Sequence, residues 1–146
     1  MLQMLLPFMP FPAALAPMAL NEAMVRQKLA STGEALRKMH GAGVPIVMGS
    51  DSGNWPVIPY QFHGFSSIRE MELIVQAGLT PEQALVAATR TPARLLRLPV
   101  GTIQVGKMAD LVVVDGDPLA DISALRHVRY TVRAGEIRTP AQWMEQ

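Results

Sequence analysis

The sequence predicts an α/β fold in which a helical portion built around one buried-type strand is followed by a strand-rich tail. Three observations carry this expectation. Apolar residues recur at helical spacing over 25–39 and 68–75, and Val44-Pro45-Ile46-Val47-Met48 is apolar without alternation. After Gly101 the apolar period shortens to that of strands.

Each element can be argued in order. Asn21 is placed to cap a helix to about Met39, with Val25, Leu29, Leu36 and Met39 on one stripe and Gly41 closing it. Residues 44–48 then suit a parallel strand buried on both faces, and Gly49 suits the turn that follows. Residues 52–65 read as a long loop punctuated by Gly53, Pro56, Pro59 and Gly64. Ile68, Met71, Ile74 and Val75 mark the next helix, ended by Gly78. Thr80-Pro81-Glu82-Gln83 combines an N-cap threonine, proline at the first helical position and a glutamine able to complete a capping box. Thr91-Pro92 repeats the threonine–proline device, predicting a second short helix that carries Leu95, Leu96 and Leu98. Ala109–Val114 is a strand candidate stopped by Asp115-Gly116-Asp117-Pro118. Val128, Tyr130 and Val132 alternate, Ala134-Gly135 turns, and Glu136-Ile137-Arg138 returns as a further strand. The domain boundary falls near residue 99, where Pro99 and Gly101 precede the tail.

Composition narrows the function classes. A chain of 146 residues holds at most one ordinary domain. It is 49% hydrophobic and 17% charged, against about 25% charged in an average protein, which suits a piece with more surface to bury than a self-sufficient small domain. The net charge of +1 and the lack of any Lys/Arg run argue against a nucleic-acid partner. Cysteine is absent, which excludes disulfides and thiolate metal sites and fits a cytoplasmic location. Residues 1–21 carry no charged side chain, long enough to span a bilayer, yet Pro7, Pro10, Pro12 and Pro17 oppose a regular helix. A basic n-region is missing, and cleavage after Ala16 would leave Pro17 first. Residues 1–20 are therefore expected to pack under another part of the protein, with secretion or membrane association as the alternative.

Among the candidate site residues, Asp51 follows the apolar run within three positions. Loops leaving strand C-termini build sites in α/β architectures, so this carboxylate reads either as a functional acid or as a turn former in a Ser/Gly-rich loop. His63, in the same long loop, reads as a ligand, proton carrier or substrate contact, or as an exposed loop residue. His40 suits the negative end of the first helix, and His127, between Arg126 and Arg129, suits the surface. The three histidines show no HxH, HxxxH or HExxH spacing. Glu70 and Glu72 point to different faces of their helix, and Ser50 and Ser52 lack a GxSxG context. Gly101–Gly106 lacks the helix and GK[ST] of a phosphate loop, and the ten methionines occupy core-type positions rather than a metal-binding box.

Three stretches, in this order and spacing, are specific together: GVPIVMGSDSG (43–53), AGLTPEQALVAATRTPARLL (77–96) and GTIQVGKMADLVVVDGDPLADI (101–122). Over roughly residues 21–138 the chain resembles the C-terminal portion of the metal-dependent amidohydrolase superfamily, in its imidazolonepropionase-like and prolidase-like branch. The resemblance implies the last part of a (β/α)8 TIM-type barrel over 21–98 and part of a small β-sandwich over 99–146. Within it, 44–48 matches the eighth strand and 66–77 the eighth helix. It also implies a divalent metal, zinc foremost, in the complete enzyme. Asp51 in GSDSG matches the aspartate that ligates metal and takes the proton from the attacking water, and His63 falls where some relatives place a loop histidine near the substrate.

The HxH pair, the bridging lysine and the two further histidines of that family have no counterpart in this sequence. The expectation is thus an amidohydrolase fragment, inactive alone, whose partners are a small amide or peptide-like substrate and either the missing N-terminal barrel half or further copies of itself. The alternatives are a non-catalytic module that self-associates and one half of a split enzyme.

Overall fold

The computed structural model describes residues 22–53 and 62–145. The expected capping of the first helix by Asn21, and all expectations for residues 1–20, lie outside the described residues. Helix α1 (Glu22–Gly41) ends with Lys38 and His40 in its last turn, where cations meet the negative end of the helix dipole. The chain divides into two compact units with the boundary between Thr32 and Gly33, inside α1. In the first unit, the described residues leave Met24 and Leu29 exposed.

The second unit holds the remaining elements. Gly33 is buried because α1 and the end of helix α2 (Phe65–Gln76) approach closely. A Cβ at Gly33 would lie 3.2 Å from that of Ala77, and Arg37 Nη1 donates to the Ala77 carbonyl at 2.6 Å. Helix α3 (Pro81–Ala88) starts as its sequence dictates. The Gln83 N–H donates to Thr80 Oγ1 at 3.2 Å, and the Thr80 N–H donates to Gln83 Oε1 at 2.8 Å. A core of Ile74, Leu79 and Ala84 forms between these helices, with Leu36, Met48, Met71 and Val75 packed around it.

Helix α4 (Arg90–Leu95) starts two residues earlier than the expected Thr91 cap places it. Its N-cap is Thr89, whose hydroxyl donates back to the Leu85 carbonyl at 2.7 Å and so ends α3 rather than capping α4. Of the leucines this helix was expected to carry, Leu95 ends it, Leu96 is its C-cap and Leu98 lies beyond it, and all three are exposed.

The expected buried strand over 44–48 does not form. This stretch is neither helical nor paired in a sheet; Val44 and Val47 are exposed, and Met48 N–H donates to the Ala87 carbonyl at 2.9 Å. A parallel strand requires a neighbouring strand to satisfy its backbone, and none lies beside it among the described residues. The turn after this stretch is also not at Gly49. The left-handed positions are Asp51 (φ 50°) and Gly53 (φ 86°).

The tail is a three-stranded antiparallel sheet in the order β1 (Leu111–Val114), β2 (Val128–Arg133), β3 (Glu136–Arg138). Val113 pairs with Tyr130 and Val114 with Val128, so Arg129 is bulged out of register. Between β1 and β2, a 3₁₀ turn (Ile122–Arg126) buries Ile122 and Ala124. The β2–β3 turn places Ala134 (φ 50°) and Gly135 (φ 87°) in the left-handed region, as a two-residue hairpin of matching twist requires. Asp110 Oδ1 accepts the Ala134 N–H at 2.7 Å. Helix α5 (Pro140–Met144) repeats the Thr80 device with Thr139 and Gln142, a Thr-Pro-x-Gln signal present in the sequence but not singled out there. It closes onto the sheet through a hydrogen bond from the Trp143 indole to Thr131 Oγ1, with Arg138 4.5 Å from the Trp143 ring centroid. Among the described residues, no helix is long and apolar enough to cross a membrane.

Candidate functional site

The irregular 44–50 stretch delivers Asp51 to a turn over 51–53; of the loop expected over 52–65, residues 54–61 lie outside the described residues and Phe65 already belongs to α2. Aspartate tolerates the left-handed backbone better than most residues, so φ 50° at Asp51 is chemically consistent with the turn. The carboxylate is exposed. The serines on either side close over the peptide unit that carries it, with Ser50 Oγ and Ser52 Oγ 2.6 Å apart. Ser67 Oγ, in the first turn of α2, reaches Ser50 Oγ at 3.5 Å, and Ser52 Oγ donates to the Phe62 carbonyl at 3.4 Å. Both contacts lie at the outer limit for hydroxyl donors.

These contacts hold Phe62, and His63 beside it, against the Asp51 turn. Its imidazole packs against Gly53 so closely that a Cβ there would lie 2.7 Å from Nε2 and 3.0 Å from Cε1. Gly53 is therefore required twice, by its positive φ and by the ring beside it. Asp51 and His63 are thus gathered into one turn region, although Gly53 and His63 are ten positions apart in sequence. His40 lies beyond the other end of the 44–48 stretch, in a groove with Val44 and Pro45, and His127 is exposed after the 3₁₀ turn. Among the described residues, no three histidine or acidic side chains come close enough to hold a metal ion.

The most constrained charged cluster lies elsewhere. Glu72, buried on α2, accepts from Arg126 Nε at 2.6 Å, from Arg126 Nη2 at 2.9 Å and from Arg69 Nη1 at 3.0 Å. Arg126 also lies 5.2 Å from the Phe65 ring centroid. Those bonds, from Arg126 first, hold the Glu72 carboxyl below its ordinary range against the opposing effect of burial. Two residues away, burial pushes Glu70 up, with the Arg69 charge opposing. The two carboxylates occupy different environments on one helix, as their spacing predicts. The cluster joins α2 to the 3₁₀ turn.

The sequence profile described as "Amidohydrolase family" matches residues 7–138. The chain belongs to the amidohydrolase family. Among solved structures, it is similar to a Xaa-Pro dipeptidase with bound methionine in its active site, at 34% identity and a TM-score of 0.63, over 73% of this chain and 25% of that one. A likeness to molinate hydrolase has 34% identity and a TM-score of 0.65, over 72% of this chain and 26% of that one. The 5-methylthioadenosine/S-adenosylhomocysteine deaminase of Halalkalibacterium halodurans is 26% identical over 125 residues, which is 81% of this chain and 28% of the deaminase. The chain therefore spans about a quarter of the length of these relatives. Members of the superfamily are generally metal-dependent hydrolases. The likeness confirms the expected family and a hydrolase-type lineage, and the described residues form an α/β arrangement with a small sheet.

Proposed function

We propose that this chain is the C-terminal portion of a metal-dependent amidohydrolase that cleaves amide-type C–N bonds. In that reading 21–98 are the last part of a (β/α)8 barrel and 99–146 a portion of its β-sandwich. One observation carries the proposal: Asp51 stands at the head of a serine-braced turn, with His63 folded back beside it, in a chain matched to the family almost end to end. Asp51 is assigned as a metal ligand and as the acceptor of the proton from the attacking water, which it passes to the leaving nitrogen. His63 is assigned to the substrate.

The residues described do not fit a complete metal centre. Catalytic zinc sites typically use three protein ligands and an open position, whereas this turn offers Asp51 and at most His63. The remaining ligands must come from the rest of a longer protein or from a partner chain, so no step through a metal is derived from this chain alone. Zinc is the metal we assign to the complete site. A small amide or peptide-like substrate is supported by the dipeptidase likeness, and the absence of cysteine is in keeping with the cytoplasm.

The test is the complete reading frame. An in-frame upstream segment bearing an HxH pair is expected, and the protein it encodes should hydrolyse Xaa-Pro dipeptides. In that protein Asp51→Asn should lower kcat by about 10²–10⁴-fold, the usual contribution of a proton-transfer group. A reading frame without such a segment would leave only the split-enzyme form of the proposal, and turnover indifferent to Asp51→Asn would remove it and favour a non-catalytic module.

A further inference from the structure

We propose that the groove between the C-terminal end of α4 and the 98–107 loop binds a small phosphate-bearing anion. The argument begins with where the cations find partners. Carboxylates pair with Lys38, Arg69, Arg126, Arg129 and Arg138, and Arg37 donates to a carbonyl. Arg26 is also engaged. The lysines and arginines without a partner among the described residues are Lys28, Arg90, Arg94, Arg97, Lys107 and Arg133. Four of these six, Arg90, Arg94, Arg97 and Lys107, line one groove of about 580 Å³, and no described carboxylate lines it with them.

The placement is regular. Arg90 and Arg94 are four apart on α4, and Arg97 continues the same stripe just beyond its end. Like charges at that spacing repel, a cost that the negative end of the helix dipole offsets in part at Arg94 and that a bound anion would offset further. Lys107 faces the stripe from the loop, where Thr102 and Gln104 add neutral polar groups. Arg97 adds a second cost. It occupies the position just past the helix C-cap with φ 55°, where glycine is the usual residue, while Leu98 N–H donates to the Ala93 carbonyl at 2.9 Å. A guanidinium is thus held at a backbone position that disfavours it.

Contacts at its two ends hold the exposed 98–107 loop. Gly101 (φ 81°) lies so tightly on α4 that a Cβ would come within 2.6 Å of the Thr89 carbonyl oxygen and 2.7 Å of Ala93 Cβ. Met108 N–H donates to the Pro99 carbonyl at 2.8 Å, and Lys107 N–H to the Gln104 carbonyl at 3.1 Å. Three guanidiniums, whose planar forks match phosphate oxygens, and one ammonium make a receptor for a multiply charged tetrahedral anion rather than for a single carboxylate. The groove shares no residue with the Asp51 turn, so the inference stands apart from the proposed hydrolase activity.

The experiment is calorimetric titration of the full chain with inorganic pyrophosphate at low chloride, with citrate as a polycarboxylate of comparable charge. Saturable binding of one pyrophosphate per chain, tighter than citrate, is the expected result. Arg94→Gln and, on the loop, Lys107→Gln should each weaken it by about tenfold, the effect of removing one charge-assisted hydrogen bond. Arg133→Gln, which removes another unpartnered arginine outside the groove, should leave affinity unchanged. Circular dichroism on each variant separates a lost site from a lost fold, and the loop variant keeps the test available should Arg94→Gln unfold. Absence of saturable binding, equal or tighter citrate binding, or equal weakening by Arg133→Gln would overturn the proposal.

Discussion

Asp51 illustrates how one residue can be legible in position and not in setting. Its place after an apolar run and before a Ser/Gly-rich loop singled it out, and the structure puts it at the head of the turn against which His63 packs. Its left-handed backbone was not readable, because the sequence offers Gly49 as the more obvious turn former. That geometry makes a prediction about stability: Asp51→Ala should cost about 1 kcal/mol more than Asp51→Asn, since asparagine tolerates the left-handed region and alanine does not. Urea midpoints of the two variants check this. Arg97 gives the complementary case. Arg97→Gly should raise stability by about 1 kcal/mol by relieving φ 55°, and should weaken pyrophosphate binding at the same time. Four cations scattered over 90–107 form no run in the sequence, so the groove they share appears only when α4 and its following loop are folded together.

Elements were legible where local chemistry decides them. The Thr80 capping box and the Ala134-Gly135 hairpin depend on residues within four positions of each other, and both form as read. The 44–48 strand depends on neighbours distant in sequence, so its apolar pattern described what the segment would bury rather than what surrounds it here. Gly101 and Glu72 are the long-range joints. Gly101→Ala combines a positive φ with backbone contact at 2.6 Å, and should destabilise by about 2 kcal/mol or more in chemical denaturation. Glu72→Gln should cost about 1 kcal/mol at neutral pH, a low figure because the Arg126 and Arg69 side chains are 36% and 43% exposed. Because the folded Glu72 carboxyl lies below its unfolded value, its contribution is fully present above the ordinary carboxylate range and is lost as pH falls through the folded value. Glu70, raised by burial, acts with the opposite sign, its penalty easing as pH falls through its raised value. A stability profile between about pH 3 and 7 should therefore lose part of its acid-side slope in Glu72→Gln.

At the scale of the whole molecule, the exposed apolar surface is the dominant feature. Ile103, Val105, Leu95, Leu96, Val112 and Ile137 are all more than half exposed, and no large side chain is fully buried among the described residues. The sheet edges of β1 and β3 have no further strand beside them among those residues. The low charged fraction and the resemblance anticipated such surface; which faces carry it could not be read without the fold. Light scattering of the purified chain should accordingly show self-association, and a compact monomer at high concentration would count against this picture. The central claim is that Asp51 belongs to a hydrolytic metal site of which this chain supplies only a part. Its most direct test is elemental analysis of the purified 146-residue chain combined with hydrolysis assays on dipeptides and cyclic amides. The account predicts weak, poorly selective divalent-metal binding and no turnover. Stoichiometric zinc with turnover abolished by Asp51→Asn would contradict it, because the chain would then assemble a whole site by itself.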